Sequence, residues 1–129
     1  MGARYENTYD VGAGLYAIRE VICDRGFCQK LNLELKSENP ENGCIWYRFH
    51  HGVTFTSWGE KITVTLIPRG ENLTSVIIRS ECGLPTQFVD WGKNQSNVNH
   101  IFKYLEEALL VRCASSGYAS GEEEGARRL

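Results

Sequence analysis

The sequence predicts a two-layer α+β sandwich: an antiparallel sheet of four or five strands with two helices packed on one face, in the order (β)αββββα. Three observations lead there. Residues 31–82 hold four runs with the alternation of half-buried strands, joined by turn chemistry rather than by helical crossovers. Apolar residues recur at helical spacing in two places, at Val11, Leu15, Ile18 and Ile22 and again at Val98, Ile101, Phe102, Leu105 and Leu109. A strand meander with one wet face needs its apolar face covered, and two amphipathic helices suffice to cover it.

Each element follows from its residues. Residues 4–9 suit a short edge strand. The first apolar stripe predicts a helix over about 10–25, with Asp10 as N-cap and Gly26 as the glycine beyond its C-terminus. Leu31, Leu33 and Leu35 alternate with Asn32, Glu34 and Lys36, the period of a strand. Asn39-Pro40-Glu41-Asn42-Gly43 is a turn, because Pro fixes φ and Asn-Gly accepts positive φ. Residues 44–50 and 61–67 form the next strands, the latter with Ile62, Val64 and Leu66 inward. Arg69-Gly70-Glu71-Asn72 closes a hairpin onto a strand at 73–82. After Gly83-Leu84-Pro85 the chain crosses to a helix at about 94–111. From Ser115 the composition turns small, polar and charged, so residues 1–113 are read as one domain and 114–129 as a disordered tail.

Composition excludes several function classes. A chain of 129 residues has room for one core. No apolar run approaches the roughly 20 residues of a membrane helix, and residues 1–6 carry no hydrophobic leader, so the expected compartment is the cytoplasm, without membrane partners. Net charge is −2 with both signs scattered, which leaves no basic stripe for duplex nucleic acid. The five cysteines are odd in number and form no CxxC pair, so they read as reduced, buried and apolar in character. Ligand-pair spacing for a metal is absent, as are a Gly-rich phosphate loop, GxSxG and HExxH, so no metal, cofactor or catalytic residue is assigned.

The most distinctive motifs are two Trp-Gly corners, Ser57-Trp58-Gly59-Glu60-Lys61 before a strand and Asp90-Trp91-Gly92-Lys93-Asn94 before the last helix. Together with Ile62-Thr63-Val64, Ser80 and Leu84-Pro85-Thr86-Gln87, they resemble a family of small uncharacterised bacterial α+β domains. That family carries W-G-E-x-I-x-V and D-W-G-K-N motifs. The likeness spans about residues 9–110 and implies the fold without supplying an activity. In layout the family is similar to a reduced helix-grip module.

Consecutive antiparallel strands should bring His50, His51, Trp58, Glu60, Asp90, Trp91 and Lys93 to one edge of the sheet, around the start of the last helix. Two readings compete. As a ligand site, the helix N-terminus and Lys93 attract an anion between indole walls formed by Trp58 and Trp91, with His50 and Glu60 beside them. As a structural latch, Asp90 accepts backbone N–H groups, Trp91 buries its ring, Gly92 takes positive φ, Asn94 or Ser96 caps the helix and Lys93 pairs with Glu60. The latch explains more of the residues. On the opposite, wet face, Trp46 and Arg48 stand with the threonines, an arrangement suited to self-association through the sheet or to another partner. The functional expectation is a non-catalytic binding or protein-interaction module. The alternatives are a small-molecule or anion pocket of helix-grip type and, less favoured, an enzyme, which a Cys82–His50 contact in an open cleft would support.

Overall fold

The computed structural model describes residues 4–52, 59–82 and 92–120, with residues 113–120 as backbone only. Five strands, β1 (Arg4–Val11), β2 (Leu33–Glu41), β3 (Cys44–His51), β4 (Glu60–Gly70) and β5 (Leu73–Cys82), form one antiparallel sheet ordered β1-β5-β4-β3-β2. Among the described residues three helices, α1 (Leu15–Ile22), α2 (Arg25–Lys30) and α3 (Lys93–Ser120), pack against it, α3 lying over β5 and β1 and against α1.

Parity along the strands builds the core. Tyr47 and Phe49 of β3, Ile62, Val64 and Leu66 of β4, and Val76 and Ile78 of β5 point to the helix side and are all but inaccessible. Ile18, Val21 and Ile22 of α1, Phe27 of α2 and Val98, Ile101 and Leu105 of α3 close over them. Each such side chain contributes about 1.5–3 kcal/mol by leaving water. Tyr9 stacks flat on Phe102, with centroids 3.7 Å apart and planes 6° from parallel, tying β1 to α3. Tyr47 spends its hydroxyl on Glu38 at 2.8 Å, and Glu38 in turn holds Arg19 of α1 at 2.7 Å. Burial, followed by the bond to the carboxylate, raises the Tyr47 phenol well above its ordinary value.

Three expectations need correction. The single helix over 10–25 is two: Asp10 belongs to β1, where it accepts a bond from Ser75 Oγ at 2.9 Å, and the chain breaks at Asp24. The Asp24 carboxylate caps α2 through the amide of Phe27 at 3.0 Å, leaving Gly26 inside that helix. The helical cover expected on one face of the sheet is present, with its first helix divided into α1 and α2. Pro40 lies in β2 rather than in a turn. It is tolerated because β2 is an edge strand. Finally, α3 continues through Ser120, past its expected end at 111, so the first residues of the expected tail are helical. Ala114, Ser115 and Ser116 contain no helix breaker. No helix among the described residues is long and apolar enough to cross a membrane.

Candidate functional site

The inward rows of the three central strands change character at one end. The apolar series Leu66, Val64, Ile62 is continued by Glu60. The row through Tyr47 and Phe49 ends on His51, and Val76 and Ile78 lead to Ser80 and Cys82. Register puts His51 opposite Glu60 and Glu60 opposite Cys82. Gly59 sets this end: its φ is +80°, and a β-carbon there would collide with the Gly52 carbonyl, so only glycine lets the two chains approach. Gly92, with φ +78°, then turns the chain into α3, as the latch reading expected.

The first turns of α3 cover these polar row ends. Glu60, with its side chain 3% exposed, takes His51 Nδ1 at 2.7 Å and Asn97 Nδ2 at 3.1 Å on Oε1, and Lys93 Nζ at 2.9 Å on Oε2. Because a carboxylate only accepts, Nδ1 carries the His51 proton and donates it. Asn97 Nδ2 also lies 3.2 Å from Ser80 Oγ, and Ser80 donates to Asn94 Oδ1 at 2.7 Å. Asn94 Nδ2 reaches Cys82 Sγ at 3.6 Å. Burial alone would raise the Glu60 carboxyl, but the bonds from His51, Lys93 and Asn97 outweigh it and hold the group below its ordinary value. Glu60 is therefore an internal anion, fixed and matched.

Beside this centre lies a cleft of about 300 Å³ between α3 and the α2–β2 turn. His51 and Asn97 form its inner wall, Lys30, Asn32 and His100 its rim, and Tyr104 one side. Lys30 Nζ sits 5.1 Å over the Tyr104 ring. Nδ1 of His51 is committed to Glu60, whereas Nε2 has no hydrogen-bond partner among the described residues. Among those residues no carboxylate lines the cleft.

Of the sequence-derived candidates, Glu60 and Lys93 are brought together. Trp58, Asp90 and Trp91 lie outside the described residues. His50 is not at the site: it pairs with Lys61 and Glu34 on the open face of the sheet, and its neighbour His51 takes the inward place. The same parity separates His50 from Cys82, whose recorded partner is Asn94, so the thiol–imidazole contact that would favour an enzyme is not formed. Among the described residues no three His, Cys, Asp or Glu side chains group to hold a metal ion. Trp46 and Arg48 do share the open face with Thr63 and Thr65. Asn97, Lys30, His100 and Tyr104 were missed, and Asn94, expected as a helix cap, lies inside α3 with its side chain bonded to Ser80 and Cys82. Asn94 and Asn97 had a signal, since they sit one turn before Val98 and Ile101 and so continue the apolar stripe of α3 with buried amides.

No protein-family model and no curated protein matches the chain. Among solved structures it is similar to the protein TTHA0849 of Thermus thermophilus, with a TM-score of 0.50 at 15% identity, over 85% of this chain and 99% of that one. That likeness is one of fold. The Zhui aromatase/cyclase of a Streptomyces species aligns over 86% of this chain and 88% of its own, at 13% identity and a TM-score of 0.35.

Proposed function

We propose that this protein is a binding module of helix-grip type that holds a small molecule with an acidic group in the cleft between α3 and the α2–β2 turn. The observation that carries this reading is the polarity of the cleft. Its ionisable lining among the described residues is one lysine, two histidines and a tyrosine, with no acid, and the nearby Glu60 is already matched by Lys93 and His51. An entering carboxylate meets the Lys30 ammonium at the rim, while deeper in the open Nε2 of His51, whose Nδ1 carries the ring proton, accepts from a hydroxyl or N–H elsewhere on the ligand. Tyr104 and Ile101 offer apolar surface to the rest of the ligand. The 300 Å³ volume suits a small metabolite rather than a lipid chain.

The test is a thermal-shift screen of small carboxylic acids against their amides and against amines of matched shape. A ligand at about one hundred times its Kd stabilises the native state by about 2.7 kcal/mol, which moves the Tm by several degrees. Acids should produce that rise, and Lys30→Glu should abolish it with only a small change in the unliganded Tm, because Lys30 is an exposed rim residue whose contact is with the Tyr104 ring. Equal stabilisation by amides, or a rise that survives Lys30→Glu, would refute the reading.

A further inference from the structure

The open face of the sheet carries a cation whose bonding capacity is unspent. Thr63 of β4 has Arg48 of β3 as its register partner on one side and Arg79 of β5 on the other. All three share one row and, by parity, point away from the helices. Strands about 4.8 Å apart put the two arginine Cα atoms roughly 10 Å apart, a span that two long side chains close by leaning over the threonine between them.

Both Nε atoms are shielded from solvent and neither has a hydrogen-bond partner among the described residues. Arg48 makes no hydrogen bond and no ion pair among those residues, and its recorded contact is with the Trp46 ring, 5.5 Å from the centroid. Arg79 Nε lies 3.2 Å from Glu81 Oε2, yet it remains without a hydrogen bond because the N–H is not aligned on that oxygen. This is an ion pair by distance only. A guanidinium presents five N–H groups in a planar fork, and a shielded N–H without an acceptor is rare enough in folded proteins to need an explanation. A groove of about 300 Å³ runs over this row, walled on its apolar side by Trp46 and Ile77.

We infer that the Arg48–Thr63–Arg79 row is a site for a small oxyanion, a carboxylate or phosphate group, held between the two guanidinium forks with the Thr63 hydroxyl beneath it. An oxygen acceptor above Thr63 satisfies both Nε–H groups at once, in the charge-assisted geometry that arginine favours. Glu6, the register partner of Arg79, and Glu81 also line the groove on the β1 side. They cap the charge the site tolerates, so it takes a compact oxyanion and rejects a polyphosphate. The site is on the opposite face of the sheet from the α3 cleft, and its fate is independent of that proposal.

The shielded Nε–H protons make the test direct, because slow exchange with water leaves them visible in 1H–15N spectra of the full chain. The uniformly labelled protein is titrated with sodium acetate, sodium phosphate and sodium pyrophosphate, each at constant ionic strength balanced with sodium chloride. Arg48→Lys and Arg79→Lys assign the two resonances. The expected result is a saturable, concerted movement of both Nε–H signals with acetate, phosphate or both, and none with chloride or pyrophosphate. Response to acetate alone identifies a carboxylate site, and response to phosphate alone a phosphate site. In Arg48→Lys, or in Arg48→Gln should the lysine variant misfold, the affinity read from the Arg79 signal should fall about tenfold or more. Signals that do not saturate, that follow chloride equally, or that move in Arg79 unchanged when Arg48 is replaced would overturn the assignment.

Discussion

Replacing Glu60 with glutamine keeps the shape of the side chain and removes its charge, which isolates what the buried carboxylate does. In the folded protein that carboxylate takes bonds from His51 at 2.7 Å, Lys93 at 2.9 Å and Asn97 at 3.1 Å. Glutamine retains one acceptor oxygen, and its amide turns N–H groups toward groups that are themselves donors. With that oxygen at the Oε1 position, the bonds from His51 and Asn97 persist as neutral ones and the Lys93 bond is lost. A hydrogen bond to a charged group contributes about 1.5–3 kcal/mol, against about 1 kcal/mol for a neutral one. Part is recovered, because the Lys93 and His51 side chains are 43% and 25% exposed and can turn to water. The net loss should be about 2–4 kcal/mol at about pH 7, read by urea unfolding of both proteins. The pH dependence gives a second check. The Glu60 carboxyl titrates below its ordinary value when folded. Its contribution is therefore fully present above the unfolded pKa of about 4.5 and disappears as pH falls through the folded value, so the gap between wild type and variant should close in acid. A gap under about 0.5 kcal/mol near neutrality, of the size of an exposed ion pair, would refute the picture of a matched internal anion. So would a gap that persists in acid.

Three further outcomes follow from the same geometry. Lys93→Ala should cost less than Glu60→Gln, about 1–2 kcal/mol, since its ammonium is partly hydrated and the buried carboxylate keeps its bonds from His51 and Asn97; paired urea titrations compare them. Gly59→Ala should lower the Tm sharply or prevent folding, because a β-carbon there meets the Gly52 carbonyl and φ is +80°. Leu105→Ala opens a cavity in the core under α3 and should cost about 2–5 kcal/mol; a loss below about 1 kcal/mol would show that α3 is peripheral.

Much of the fold was legible because burial imposes period. Ile62, Val64 and Leu66 on one side and Thr63 and Thr65 on the other fixed both the strand and its inward face. The apolar residues of α3 did the same for the helix. What was misread were boundaries that local chemistry decides. The stripe from Val11 to Ile22 has helical period, yet Val11 belongs to β1, where backbone pairing to Thr74 holds it. Asp24 restarts the chain as a separate helix by capping Phe27. The site was half legible. Glu60 and Lys93 were placed together by topology, and applying strand parity one step further would have chosen His51 over His50. The remaining wall, from Lys30 to Asn32, depends on how the α2–β2 turn approaches α3, a long-range relation with no local pattern in the sequence.

If the α3 cleft binds an acidic small molecule, the most direct test is an amide 1H–15N titration with the acid that most stabilises the protein in the thermal screen. Saturable shifts should concentrate at Asn32, His51, Asn97, His100 and Tyr104, the residues that surround the cleft, with the open-face amides of Trp46, Thr63 and Ile77 moving on a separate curve or not at all. Shifts confined to the open face, or scattered without saturation, would contradict binding in the cleft.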